Sequence, residues 1–194
     1  MLEAVDSGLD AKIFRVGNLM GRQSDGEFQI NSVTNSFIRS LKAYRVLGCF
    51  PVSSCDQTVD FSPIDEVAES ILRLSTADGK FTLFHCANAH EVQMGDVIEA
   101  MNRYGFRIDV VNDKAFSEKL NEAIADESRS MLVSGLLTYS SSDNRLRRYI
   151  KTDNTFSIKA LYRLGYKWPI TDEAYLLRVI ESLDSLGFFD RDDI

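Results

Sequence analysis

The sequence predicts an α/β protein, in which the last strands of an open parallel sheet lead into a mostly helical subdomain. Three observations carry this. Short apolar-alternating segments recur, separated by helical segments, as far as Val111; no strand pattern follows; and the rest reads as helices closed by glycines. Strands that alternate with helices suit parallel pairing, because a parallel connection needs a crossover of about a dozen residues or more, which a helix supplies. The expected division is residues 1–111 as α/β core and residues 112–194 as helical subdomain.

Each element follows from its own residues. A short helical stretch ends near Gly8, and Ala11-Lys12-Ile13-Phe14-Arg15-Val16 alternates as a strand that stops at Gly17. Residues 17–31 are rich in Gly, Asn, Ser and Asp and read as a loop. Val33, Phe37, Ile38 and Leu41 share a helical face, closed by Gly48 and Pro51. Thr58-Val59-Asp60-Phe61 is extended and enters a helix with Ser62 as the expected N-cap, Pro63 as its first residue and Asp65 as a capping-box partner. Ile64, Val67, Ala68, Ile71 and Leu72 form its expected apolar stripe. Asp78-Gly79 turns into a strand at residues 80–85; a helix marked by Met94, Val97, Ile98 and Met101 ends at Gly105; residues 106–111 form a further strand. Helices are expected at 114–125, 128–137, 155–164 and 171–186.

Composition narrows the function classes. The net charge of −7 argues against a general nucleic-acid binder, since neutralising phosphates needs a basic surface. The chain contains no apolar run of about 18 residues that would span a bilayer, and its first residues lack a signal-peptide pattern, so a cytoplasmic protein is expected. Three cysteines, Cys49, Cys55 and Cys86, exclude a fully paired disulfide framework and make no C-x-x-C, so reduced thiols and no metal are expected. His85-Cys86 would point to opposite faces of a strand, which speaks against a zinc site with His90.

Several segments are more specific. Ile13-Phe14-Arg15-Val16-Gly17-Asn18-Leu19-Met20-Gly21 resembles the R-P-G-N-x-x-G segment of extended short-chain dehydrogenase/reductases. Val59-Asp60-Phe61-Ser62-Pro63-Ile64-Asp65-Glu66-Val67-Ala68 resembles their V-D-F-x-P-V-D-x-V-A segment, and residues 81–88 resemble the strand that follows it. Asp153-Asn154-Thr155 and Leu164-Gly165-Tyr166-Lys167-Trp168-Pro169-Ile170 resemble the C-terminal part of the thioester-reductase type, which ends nonribosomal peptide synthetases and carboxylic acid reductases.

The resemblance implies a Rossmann-like sheet, NADPH as cofactor, and a substrate-binding or lid role for the helical subdomain. It implies reduction of an acyl or peptidyl thioester, held on the phosphopantetheine of a carrier protein, to an aldehyde or alcohol. Backbone groups of Val16, Gly17, Asn18 and Leu19 would then meet the nicotinamide, because strand C-termini face the ligand crevice. Arg15, Phe37 and Phe61 are the substrate-side candidates; for Arg15 a buried ion pair is an equal expectation, and for Phe37 and Phe61, with Phe28 and Phe50, core packing comes before an acyl tunnel. Asp60 and Asp65 read first as structural. Arg145, Arg147, Arg148 and Lys151 form the one dense basic cluster, a solvated face or a docking site for an acidic carrier protein.

The family's chemistry also needs a Gly-rich cofactor turn and a Tyr-x-x-x-Lys pair. Neither is present: none of the seven tyrosines is followed by lysine four positions later. The chain by itself is therefore expected not to catalyse, with the N-terminal catalytic half upstream or on another polypeptide. A nucleotide-sugar epimerase or reductase is the rival reading within the fold, disfavoured because Gln57-Thr58-Val59 carries no arginine before Asp60. A free-standing module that binds an acyl group or a carrier protein is the rival of another class.

Overall fold

Alternating apolar residues and the glycines that end them set the element order. The computed structural model describes residues 3, 5, 7–29, 34–137 and 153–190. It runs β1 (Ile13–Val16), β2 (Leu19–Met20), α1 (Ser36–Leu47), β3 (Cys49–Pro51), β4 (Thr58–Val59), β5 (Ser62–Pro63), α2 (Ile64–Ser75), β6 (Leu83–Cys86), β7 (Val92–Gln93), α3 (Met94–Tyr104), β8 (Asp109–Val111), α4 (Asp113–Ala125), α5 (Glu127–Leu137), α6 (Thr155–Arg163) and α7 (Glu173–Ser185). This is the predicted α/β class, with parallel strand pairs, flanking helices and a helical C-terminal region.

Two compact units divide the chain, each assembled from three segments. The first holds Met1–Ser24, Asp60–Glu91 and Ile150–Thr171; the second holds Asp25–Val59, Val92–Tyr149 and Asp172–Ile194. The boundary expected after Val111 falls inside the second unit. The reason is packing across Val111: Arg39 of α1 donates to Ser134 Oγ of α5 at 2.5 Å and Arg129 of α5 to the Val46 carbonyl at 3.4 Å, so residues on both sides of Val111 belong together.

In the first unit β1 and β6 run parallel, with Ile13 opposite Leu83 and Val16 opposite Cys86, and β2 pairs in parallel with β5. The core joins Val67 and Leu74 of α2 to Phe84 and Cys86 of β6, Leu161 of α6, Tyr166 and Trp168, with Phe14 packed against it. Burying each large side chain here contributes about 1.5–3 kcal/mol. The buried stripe of α2 is Val67, Ser70 and Leu74, and it departs from the predicted one, since Ile64 and Leu72 are 43% and 66% exposed. Val67, Ile71 and Leu74 follow the i, i+4, i+7 spacing of one face, and Leu72 lies about 100° away from Ile71. Ser70 enters the core because its hydroxyl donates to the Val67 carbonyl at 2.7 Å.

The capping expectation at α2 is corrected. The helix starts at Ile64, Pro63 occupies the cap position without a side-chain bond, and the Ser62 hydroxyl is engaged elsewhere. Asp65 and Glu66 still place acidic charge in the first turn, where the helix dipole favours it.

In the second unit Asn35 caps α1, accepting from the Phe37 and Ile38 N–H groups, and Gly48 at φ 65° ends it in the left-handed region. The α1 start expected near Val33 lies outside the described residues. β4 and β7 pair antiparallel, Thr58 opposite Gln93. α1 packs closely on α5, where a Cβ on Gly135 would stand 2.7 Å from the Arg39 backbone. α3 and α7 are joined by Arg103, which pairs with Glu99 at 2.7 Å and Glu173 at 2.6 Å. The Arg45 guanidinium lies 4.3 Å from the Phe106 ring centre and donates to the Phe189 carbonyl. Among the described residues no helix is long and apolar enough to cross a membrane.

Candidate functional site

β1 delivers its last residues to the C-terminal ends of the parallel strands. Ile13 N–H donates to the Thr82 carbonyl at 2.7 Å and Gly17 N–H to the Cys86 carbonyl at 3.1 Å, so odd-numbered residues of β1 face β6. Backbone groups alternate along a strand, and the N–H and C=O of Val16 therefore point away from β6.

Beyond Val16 the chain turns over a carboxylate. Asp60 Oδ2 accepts the Asn18 N–H at 2.8 Å, and the Asn18 amide donates to the Asp60 carbonyl at 3.1 Å. Asp60 Oδ1 accepts the Ser62 hydroxyl at 2.5 Å, while Ser62 Oγ accepts the Asn88 N–H at 2.9 Å. Asn18 also accepts the Ser62 N–H at 3.0 Å through its carbonyl. Asn88 donates its amide to the Phe61 carbonyl at 2.7 Å and to Thr171 Oγ1 at 3.3 Å, and its Oδ1 accepts the His90 N–H at 3.0 Å. The Asn154 amide reaches the carbonyls of Ala87 at 2.8 Å and Asn88 at 3.2 Å. One polar network thus ties the ends of β1, β5 and β6.

Burial pushes the Asp60 carboxyl above the usual carboxylate range, and the hydrogen bonds from Ser62 and Asn18 pull it back. Next to it, Asp65 organises the following loop, accepting the Gln23 N–H at 2.8 Å and the Ser24 N–H at 3.3 Å.

The residues singled out in the sequence are distributed unevenly. Gly17, Asn18 and Leu19 are half-buried in this network, and Val16 is 46% exposed at its rim. Arg15 is exposed on β1, and among the described residues it makes no buried ion pair. Phe61 is 1% exposed and its ring belongs to the core. Phe37 is half-buried on α1 in the second unit. Arg145, Arg147, Arg148 and Lys151 lie outside the described residues. Asp60 was legible only as structural, and Ser62, Asn88 and Asn154 were not singled out, although each falls in a segment that carries the family resemblance.

Chemically this network fixes backbone rather than activating a reacting group. Its donors and its carboxylate are spent on one another. The three cysteines are free thiols, and burial raises the pKa of each, so none is an activated nucleophile. Among the described residues no group of three or more His, Cys, Asp or Glu side chains is disposed to hold a metal ion.

No protein-family model matches the chain, and no protein of curated function does. Solved structures do. A thiolation-reductase di-domain from an archaeal nonribosomal peptide synthetase is similar at 33% identity and a TM-score of 0.83, covering 97% of this chain and 39% of that one. The reductase domain of the aureusimine biosynthetic cluster is similar at 26% identity and a TM-score of 0.76, covering 96% and 47%. The terminal R domain of the myxalamid pathway shares the fold at 24% identity and a TM-score of 0.81, covering 97% and 48%. This chain thus spans less than half the length of each. With nearly all of its residues matched, it belongs to the reductase domains of nonribosomal peptide synthetases, of the extended short-chain dehydrogenase/reductase type.

Proposed function

We propose that the chain forms the nicotinamide-facing wall and substrate-side subdomain of an NADPH-dependent thioester reductase. The observation that carries this reading is the polar network that joins the C-terminal ends of β1 and β6 to the start of β5, since parallel strands present their ligand crevice at their C-terminal ends. A carboxamide needs one acceptor and one donor. Val16 suits it, being half exposed with both backbone groups directed away from β6, whereas the N–H groups of Gly17 and Asn18 are engaged within the chain. NADPH, when held against Val16, would supply the hydride that, with a proton, converts the thioester to an aldehyde and a free thiol.

This chain's residues bind and orient. The Tyr and Lys that family chemistry requires, and the Gly-rich turn for the cofactor's diphosphate, come from the rest of the domain, with which the chain assembles. Residues 112–194, mostly helical, are the proposed substrate-binding or lid part. A similar reductase adjoins a thiolation domain, which supports a carrier-protein thioester as the substrate. Arg145, Arg147, Arg148 and Lys151 are the proposed docking cluster for that carrier.

The assembled domain, incubated with NADPH and a carrier loaded with an acyl thioester, is expected to release an aldehyde or alcohol detectable by mass spectrometry. Intact thioester after many equivalents of NADPH would contradict the reading.

A further inference from the structure

The turn after β1 is held by an unusual division of labour. A Cβ built on Gly17 would stand 2.1 Å from Asp60 Oδ2 and 2.5 Å from Ser62 Oγ, so only glycine lets the strand end lie against the carboxylate. That carboxylate receives two donors from different segments, the Asn18 N–H on Oδ2 and the Ser62 hydroxyl on Oδ1. The Ser62 hydroxyl has one proton, and it goes to Asp60 because a carboxylate can only accept, while a lone pair of Ser62 Oγ takes the Asn88 N–H. The chain of donors runs from Asn88 through Ser62 and ends on Asp60. Only a group with two acceptor oxygens completes it.

We infer that Asp60 is a positioning residue for cofactor recognition: its carboxylate sets the Val16–Asn18 backbone against which the nicotinamide is read. The inference rests on the proposed NADPH site and adds a residue that touches neither cofactor nor substrate. An asparagine at position 60 keeps the shape but replaces one acceptor with an NH₂ donor. With that donor toward Ser62 the serine proton loses its acceptor, and with the amide reversed the donor meets the Asn18 N–H, so either orientation leaves one donor of the network without its partner.

The test measures NADPH affinity by fluorescence titration in the assembled domain for wild type, Asp60→Asn and Ser157→Ala. Ser157 accepts the His85 N–H and is 3% exposed, so its loss destabilises the same unit without touching the turn after β1. D60N is expected to weaken NADPH binding about tenfold, the scale of a lost hydrogen bond to a charged group. S157A is expected to lower the melting temperature and leave the affinity within about twofold, the noise of additive, distant changes. In the activity assay D60N should raise KM for NADPH and leave KM for the acyl thioester unchanged. Unchanged affinity in D60N, or equal weakening in D60N and S157A, would overturn the inference while leaving the proposed function standing. A wild-type domain that binds no NADPH would overturn both.

Discussion

The Ser157 hydroxyl accepts the His85 N–H at 2.8 Å, on the edge of β6 that faces away from β1. A strand edge leaves a row of unpaired backbone groups, and here α6 closes it with a side chain instead of another strand. Asn154, just before α6, does the same for the Ala87 carbonyl. Replacing Ser157 with alanine leaves the half-buried His85 N–H without this partner and is expected to cost about 1 kcal/mol. Urea unfolding measures it, and a variant as stable as wild type would show that the edge is satisfied by other means.

Gly17→Ala is expected to destabilise by about 3 kcal/mol, because the new methyl group overlaps the Asp60 carboxylate and the Ser62 hydroxyl together. The two changes should be non-additive. In an Asp60→Ala background part of the overlap is gone, and Gly17→Ala should cost clearly less, since residues in contact couple. Additive costs in a double-mutant cycle would place the strain elsewhere.

Gly135→Ala acts on the second unit. Its methyl would meet the Arg39 backbone of α1 at 2.7 Å, and backbone gives way less easily than a flexible side chain. Helix α5 must then shift from α1 at a cost of about 1–3 kcal/mol. Thermal unfolding checks this, and a rise in melting temperature would contradict it.

Much of the fold was legible because local signals and tertiary structure agree. Gly48 ends α1 as its position demanded, and the helices after Val111 begin and stop within two residues of their expected limits. Ser62 was misread for an identifiable reason. Ser-Pro-x-Asp before an apolar stripe carries a capping signature, yet the hydroxyl is claimed by Asp60 and by the Asn88 N–H, 26 residues away. Leu72 was placed on the buried stripe because the neighbour that would have excluded it, Leu74, comes only two residues later. The functional network was less legible still. Asn18 and Asp60 are 42 residues apart, and nothing local in either segment announces that one holds the other.

The Asp60 carboxyl also predicts a pH dependence. Burial raises its pKa above the ordinary 3.8, so the native state holds that proton more tightly than the unfolded chain does. The stability from this group is present below 3.8 and is lost as pH rises through the raised value. The stability difference between wild type and D60N should therefore shrink with rising pH over that interval. A difference that grows with pH would mean that the hydrogen bonds from Asn18 and Ser62 outweigh desolvation.

Reversing the charge at Arg147 and Arg148 tests docking apart from the reductase fold. The double variant to glutamate should raise KM for the carrier-bound thioester more than for a free thioester analogue, with the difference fading at high salt. Equal effects on both substrates would remove the carrier from the account of this cluster.

Hydrogen–deuterium exchange of the assembled domain with and without NADPH tests whether the strand end after β1 faces the cofactor. Added NADPH is expected to slow exchange in the peptides containing Val16–Leu19 and Asn88, while the edge of β6 at His85 stays unchanged. NADPH binding that leaves those peptides unaltered and protects only other segments would contradict it.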